Sequence, residues 1–325
     1  MNRHFILLIA AVTFAAAPLA KGQPDFAIVN FTTVDDPLGT KGTQLLGIYE
    51  NTIVGAYVDS SGIQHGFSYN DSTSTFTPVA PPLAGPTTVA WGVSGNTIVG
   101  DYVDSASEAH GFSYDGSTYT TLDDPQAGQS GNTGATGISG NTVVGNFYTA
   151  AGGFYSSQGF VHTGSTWTTV TNPLATNGTQ LFAVSGNTDV GLYLDSNYFA
   201  HAFTYTGSTF TYLNDPLATE GTGAFGIYGN DIVGTYYASD GESYGHGYIY
   251  DGSNYTTVDD PLGTNGTGVN GIYGNTIVGS YSDNSGTHGF FATIVAVPEP
   301  TSATMLIVAT TASLLSRRRR RHLGF

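Results

Sequence analysis

Short apolar runs separated by turn residues follow one another along most of the chain. Between residues 223 and 261, four such runs are rich in branched and aromatic side chains, and each ends at Gly, Asn or Asp. Runs of this length closed by turn-forming residues predict one antiparallel β-sheet. An Asp-Asp-Pro sequence ends the fourth run, because proline has no N–H for the strand ladder. The four predicted strands are Ala224–Tyr228, Asp231–Tyr237, His246–Tyr250 and Tyr255–Val258.

The same four-run unit occurs six times. The segment Phe31–Thr43 returns almost letter for letter at Tyr255–Thr267. A second phrase, Ile-Val-Gly or a close variant, ends at a glycine in every unit, with steps of 43 to 46 residues: Gly55, Gly100, Gly145, Gly191, Gly234 and Gly279. A period of this length indicates a repeat array, in which each unit is stabilised by contact with its neighbours.

Six four-stranded sheets predict an all-β fold, a six-bladed β-propeller over residues 26–296. The sixth unit lacks its own fourth strand, and the missing sequence is found at Phe31–Asp36, before the first unit. We therefore expect the N-terminal strand to join the last blade and close the ring. The glycine-containing first run of each unit is expected to lie innermost. A β-solenoid has a similar period, but it would not need a leftover strand at the opposite end.

The charge distribution limits the partners of this region. Residues 23–297 contain one basic residue, Lys41, against 23 Asp or Glu residues. Such a surface repels nucleic acid, which proteins bind largely through Lys and Arg. Without arginine it also cannot clamp a phosphate or a carboxylate, so cations and neutral molecules remain as ligands. The chain has no cysteine, which excludes disulfides and thiol chemistry.

The first 22 residues have the pattern of a secretory signal peptide. Arg3 precedes the apolar stretch Phe5–Ala17, small residues follow, and we expect cleavage after Gly22. A retained membrane anchor is the alternative. The apolar stretch is shorter than the roughly 20 residues that a spanning helix needs.

Residues 297–325 have the pattern of a second targeting signal. Pro298, Glu299 and Pro300 precede an apolar segment, residues 301–316, and the run of Arg317, Arg318, Arg319, Arg320 and Arg321. This order resembles the PEP-CTERM sorting signal of Gram-negative bacteria, although residues 322–325 extend beyond its usual end. The resemblance implies recognition by an exosortase, removal of a short transmembrane helix, and delivery to the cell surface, the outer membrane or the extracellular matrix. It also implies a link to exopolysaccharide and biofilm production. An ordinary C-terminal anchor is the alternative.

A histidine stands at the head of the third strand in five units: His65, His110, His201, His246 and His288. The third unit has Gln158 instead. Because alternate residues share a strand face, each histidine lies on an aromatic face. We interpret these residues as buried hydrogen-bond struts between neighbouring sheets. A ring of metal-binding imidazoles is the alternative, which the distance of the third strand from the axis disfavours.

The triplets that contain these histidines carry a second resemblance. His201-Ala202-Phe203 and variants such as His65-Gly66-Phe67 are similar to the extracellular HAF repeat family. The resemblance implies an extracellular setting and supplies no catalytic residues.

Aspartates recur in the loops between units: Asp35, Asp36, Asp123, Asp124, Asp215, Asp259 and Asp260. Others follow the second strands, and strand parity places both sets on one face: Asp59, Asp104, Asp195, Asp240 and Asp283. Clustered carboxylates suit Ca²⁺, which prefers oxygen ligands. The alternative is that aspartate starts each turn by accepting a hydrogen bond from its own backbone.

These features leave three hypotheses for function. The first is a secreted, surface-sorted binding or structural module for matrix polysaccharide. Trp91 and Trp167 are among the residues able to stack on sugar rings, and packing in the core is the alternative role for them. The second is a polysaccharide hydrolase or lyase that uses aspartates of the acidic face. The third is an envelope scaffold without a ligand. A catalytic pair should break the repeat symmetry, and the sequence predicts no such break. The third unit, with its insertion at Gly152–Ser157 and without the recurring histidine, is the most irregular place and therefore the place where we expect a specialised site.

Overall fold

The computed structural model describes residues 26–128, 132–149, 157–240 and 244–296, which form β-strands joined by turns. In chain order these are β1 Phe26–Val34; β2 Gly42–Tyr49, β3 Thr52–Val58, β4 Gln64–Asn70, β5 Thr75–Val79; β6 Thr88–Ser94, β7 Thr97–Val103, β8 Ala109–Tyr114, β9 Tyr119–Leu122; β10 Thr133–Ser139, β11 Thr142–Tyr148, β12 Ser157–Thr163, β13 Thr166–Val170; β14 Thr179–Ser185, β15 Thr188–Leu194, β16 Ala200–Tyr205, β17 Phe210–Leu213; β18 Gly221–Tyr228, β19 Asp231–Tyr237, β20 His246–Tyr250, β21 Tyr255–Val258; β22 Thr267–Tyr273, β23 Thr276–Ser282 and β24 Thr287–Ala296.

These strands build an all-β, propeller-like fold of four-stranded antiparallel sheets. Most units pair their strands in chain order, as in β2-β3-β4-β5 and β6-β7-β8-β9. The fourth and fifth units are continuous as one eight-stranded sheet, because a single parallel bridge joins Ala200 to Gly221. The strands predicted for residues 223–261 lie within β18 to β21, with their ends shifted by up to three residues.

The N-terminal strand completes the last sheet, as the sequence predicted. β1 pairs antiparallel with β24, and the sheet order is β1-β24-β23-β22. The ring of Phe31 lies 5.5 Å from that of Phe290, and Phe26 and Ile28 also pack against the core of this sheet. The first and last described strands are therefore held in one hydrophobic cluster.

The recurring second-strand glycine faces an irregularity in the first strand. In every unit the register between the first and second strands shifts at one residue, as between Val269 and Gly271. A side chain at Gly279 would overlap the carbonyl oxygen of Gly268 and lie 2.9 Å from the ring of Phe290. Glycine recurs here because the bulged first strand and the aromatic third strand leave no room for a Cβ atom.

The first strands of neighbouring units approach one another closely, as their predicted inner position requires. A Cβ atom at Gly47 would lie 3.1 Å from the Cα atom of Gly92, and one at Gly271 would lie 3.3 Å from the Cα atom of Gly47. Only small residues permit backbones to approach so closely. The hydrophobic clusters fill the space between sheets, as where Val278 of β23 packs with Leu45 of β2.

The predicted signal peptide and sorting signal, residues 1–22 and 297–325, lie outside the described residues. Among the residues that are described, no helix has the length and apolar character needed to cross a membrane.

Candidate functional site

The recurring histidines bind aspartates of their own sheet. Nε2 of His246 lies 2.7 Å from Oδ2 of Asp240, and its Nδ1 lies 3.1 Å from Oδ1 of Asp259. The same pairings occur at 2.8 to 3.2 Å in other units: His65 with Asp59, His110 with Asp123, His201 with Asp195, and His288 with Asp35. Each ring also stacks on a second-strand tyrosine, as His246 does on Tyr236 at 5.0 Å between centroids.

The interpretation of these histidines as struts between neighbouring sheets is therefore wrong. The histidine stands at the start of the third strand. Two loops of the same sheet lie beside it, one that precedes the third strand and one that follows the fourth, and their carboxylates are closer to the imidazole than a neighbouring sheet is. The side chains are also half-buried rather than buried; that of His65 is 37% exposed. His110, His246 and His288 each contact aspartates of two loops and so tie these loops of one unit together, whereas His65 and His201 each contact an aspartate of one loop. In the third unit, Gln158 accepts a hydrogen bond from the Thr171 hydroxyl in the loop after the fourth strand.

The second aspartate of each inter-unit pair forms a turn. Oδ1 of Asp260 accepts the N–H of Leu262 at 2.8 Å, while its own N–H donates to Oγ1 of Thr267 at 2.9 Å. The equivalent side chains accept the N–H two residues on in the same way: Asp36, Asp124, Asn172 and Asp215. The turn-forming role is thus confirmed. Burial raises the pKa of Asp124, Asp215 and Asp260.

The predicted Ca²⁺ ligands are consequently divided between two tasks. Asp35, Asp123 and Asp259 face histidines, whereas Asp36, Asp124, Asp215 and Asp260 are buried in turns. Within the described residues, one group has donor atoms close enough to share a metal ion: Asp104, Glu108 and His110, whose ligand atoms lie within 4.8 Å of one another. Ca²⁺ binding remains a prediction.

A cavity of about 240 Å³ lies among the first strands, at the end where these strands begin. Every first strand contributes at least one residue to its wall, and six of these occupy equivalent positions: Leu46, Trp91, Thr136, Phe182, Phe225 and Asn270. Each of these is the extra residue of the β-bulge that precedes the small residue of its strand. A bulge turns a side chain away from the pleat, so the repeated bulge directs a variable residue toward this cavity in every unit.

Polar groups around this cavity are held by hydrogen bonds. Nε2 of Gln44 donates to the hydroxyl of Tyr244 at 2.8 Å, and Nδ2 of Asn270 donates to the Leu45 carbonyl at 2.9 Å. Phe182 and Phe225 meet edge to face at 4.9 Å between centroids. The cavity therefore presents fixed aromatic faces beside oriented amide and hydroxyl groups. A second, smaller cavity of about 70 Å³ lies next to it and shares Leu46, Trp91 and Phe225 of its lining.

One carboxylate stands beside the cavity. The indole N–H of Trp91 donates to Oδ1 of Asp101, which occupies the second-strand position that Thr235 and Ser280 use to line the cavity. Burial raises the pKa of Asp101 to about 6, and the Trp91 hydrogen bond offsets this only in part. The charge of Asp101 adds to burial in raising the pKa of Tyr148.

Sequence reasoning named Trp91 but missed the rest of this site. Variation between the repeats could have revealed it. The residue before the first-strand Gly or Ala changes from unit to unit. Asp101, which directly follows the Ile-Val-Gly phrase, stands where the other units have a neutral residue. Trp167 is elsewhere, where it packs against Phe160 and His162. Of the third-unit insertion, residues 150–156 lie outside the described residues.

Comparison with known proteins supports the fold. No protein-family model matches the chain, and no curated protein matches it. The structure is similar to a fucose-specific lectin from Aleuria aurantia, with a TM-score of 0.51, 13% identity, and coverage of 79% of this chain and 95% of the lectin. It is also similar to the β-propeller domain of the trilobed protease from Pyrococcus furiosus, with a TM-score of 0.50, 9% identity, and coverage of 81% and 85%. At these identities the likeness concerns the fold alone.

Proposed function

We propose that this protein is a carbohydrate-binding β-propeller whose axial cavity holds the sugar. The observation that carries the proposal is the wall of the cavity, where Trp91, Phe182 and Phe225 lie beside the amides of Gln44 and Asn270. Aromatic faces with a few oriented polar groups are typical of small-ligand sites. Sugar rings suit such a site, because their C–H faces pack on aromatic rings and their hydroxyls bond to amides.

The proposal includes a ring of six blades closed by β1. It is supported by the pairing of β1 with β24 and by the cavity wall, to which all six repeats contribute one bulge residue. In this arrangement the ligand contacts every blade through a different side chain. A repeat protein thereby forms a single, asymmetric site.

The proposed setting is the surface of a Gram-negative cell or its extracellular matrix. The support is the resemblance of residues 297–321 to the PEP-CTERM sorting signal and of residues 1–22 to a signal peptide. An exosortase would process the chain, and extracellular polysaccharide would be its ligand. The Aleuria lectin is a precedent for sugar recognition on a propeller fold.

The proposal is tested by titrating residues 23–296 with a panel of polysaccharides and their oligomers in a calorimeter. Phe225→Ala should weaken binding at least about tenfold, or about 1.4 kcal/mol, because it removes one aromatic wall. The matched control is Phe199→Ala, an exposed aromatic residue on the same end of the molecule that does not line the cavity. Equal binding by both variants would place the site elsewhere.

The same incubations distinguish binding from catalysis. We expect the length of each bound polysaccharide, measured by size-exclusion chromatography, to remain unchanged. Shortened chains would instead favour the hydrolase or lyase hypothesis, with Asp101 as the first carboxylate to replace.

A further inference from the structure

We infer that the axial cavity selects sugars that carry a free, protonated amino group, and that Asp101 determines this specificity. The inference rests on the proposed function and adds the class of ligand. It follows from the position of Asp101, from the charges around it and from the aromatic lining.

Asp101 is the carboxylate that breaks the sixfold pattern beside the cavity. Its counterparts in the other units are neutral: Ala56, Asn146, Leu192, Thr235 and Ser280. Two of these counterparts, Thr235 and Ser280, line the cavity, and Asp101 occupies the equivalent strand position directly behind the lining residue Trp91. Its hydrogen bond from Trp91, a lining residue, fixes the carboxylate there.

Within the part of the chain that the structure describes, no cationic side chain balances this carboxylate. Lys41 is the only Lys or Arg among the described residues, and the recurring histidines bond to other aspartates. A partly desolvated carboxylate with a single neutral hydrogen-bond donor is poorly compensated. A ligand ammonium group would supply the missing positive charge and further donors.

The remaining walls favour the same class of ligand. The ring faces of Trp91, Phe182, Phe225 and Tyr237 carry negative electrostatic potential, which attracts an organic cation in a partly desolvated site. An N-acetylated sugar fits the aromatic surfaces but brings no charge, and a uronic acid is repelled by Asp101. An amino sugar meets both the aromatic and the charged requirements.

The test compares two probes that differ only at nitrogen: a tetramer of glucosamine and the corresponding tetramer of N-acetylglucosamine, titrated by calorimetry near pH 7 in low salt. Wild-type protein should bind the amine-bearing tetramer at least about tenfold more tightly, a difference of about 1.4 kcal/mol. Asp101→Asn should bind the two tetramers equally. Raising the salt concentration should reduce the preference of the wild type, because salt screens the ion pair.

Two further variants keep the result interpretable. Asp101→Ser introduces the residue that Ser280 provides in the last unit, and it should also remove the preference if Asp101→Asn folds poorly. Glu220→Gln makes the same change in net charge on an exposed side chain outside the cavity, and it should retain the preference.

The outcomes separate this inference from the proposed function. Equal binding of both tetramers by wild type, tighter binding of the acetylated one, or an equal loss of preference in Glu220→Gln would overturn the amine specificity. Binding of a neutral glycan that Phe225→Ala abolishes would still leave the proposed function in place. Failure of wild type to bind any glycan would overturn both.

Discussion

At the scale of single residues, Asp189 departs most from the repeat pattern. It occupies a core position that is Ile or Val in the other units, and it is 6% exposed. Its strand neighbours in register are Val184 and Tyr205. Burial raises its pKa to about 7, from an ordinary value near 3.8. An ionised carboxylate at this place therefore opposes folding.

We predict that Asp189→Val stabilises the protein more at pH 8 than at pH 4. The unfolded chain releases the Asp189 proton near its ordinary pKa and the folded chain only near 7, so wild-type stability falls as the pH rises through this window. Chemical unfolding should show a gain that grows by about 2–4 kcal/mol between the two pH values. Asn cannot ionise, so the stability of Asp189→Asn should not show the decrease between pH 4 and pH 8 that Asp189 causes in the wild type. A gain independent of pH would contradict the explanation.

At the scale of elements, the bulged hairpin of the first and second strands accounts for both the recurring glycine and the residues that line the cavity. The bulge directs one side chain to the cavity, and the second-strand glycine makes room for the bulged strand. Strand pairing determines this arrangement. Side chains normally alternate between the two faces of a strand, and the extra residue of the bulge does not follow that alternation. The part of the unit that is constant is thus structural, and the part that varies forms the cavity.

We predict that Gly279→Ala lowers the free energy of unfolding by about 1–3 kcal/mol, because its Cβ atom meets the Gly268 carbonyl and the Phe290 ring. Gly134→Ala is the matched control. It also lies in a strand, but the nearest atom to its added Cβ, Oδ1 of Asp101, is 3.7 Å away. Urea unfolding of both variants measures the difference. Equal stability would show that the close approach at the bulge is not what requires glycine.

At the scale of the whole molecule, the pairing of β1 with β24 brings the two ends of the described chain together. Phe26, Ile28 and Phe31 pack on the last sheet, and Nδ1 of His288 lies 2.8 Å from Oδ2 of Asp35. These contacts span more than 250 residues of sequence. They are accordingly the contacts whose loss should affect cooperativity most.

We predict that a chain beginning at residue 35 loses about 4 kcal/mol or more of stability relative to one beginning at residue 26, because the apolar side chains of β1 no longer cover the last sheet. Thermal unfolding should change from one transition to a broader one at lower temperature. A chain beginning at residue 23 is the control for shortening the N terminus, and it should unfold like the chain beginning at residue 26. An unchanged transition in the shortest chain would mean that β1 does not close the fold.

The contact between Asp35 and His288 adds a pH dependence to this closure. Burial lowers the pKa of His288, but the hydrogen bond and charge of Asp35 and the charge of Asp283 outweigh it and raise the pKa. The resulting stabilisation is complete below the ordinary histidine pKa and is lost as the pH rises through the folded value. We predict that Asp35→Asn costs up to about 1 kcal/mol at acidic pH and nothing measurable at pH 9, by chemical unfolding. An equal cost at both pH values would assign the effect to packing.

Much of the fold was predictable from the sequence, whereas most of the site was not. The four strands of a unit, the inner position of the first run and the docking of β1 follow from short-range patterns and from a strand missing at one end. The histidines were assigned to the wrong partners because a strand pattern defines the face of a side chain but not which loop reaches it. The cavity residues were missed because they occupy bulges. A bulge interrupts the alternation of side chains between the two faces of a strand, and the sequence pattern predicts the face of a side chain only where that alternation holds.

By itself the sequence determined the repeat, its strands, the acidic character of the surface and the two segments that resemble targeting signals. Each of these features depends on residue type and on spacing along one chain. Only the tertiary structure decided which side chains meet around the cavity, that His–Asp pairs lie within one sheet, and that Asp101 is the one carboxylate beside it among the described residues. Those features depend on distances between residues far apart in sequence, which pairing and packing set after the strands have formed.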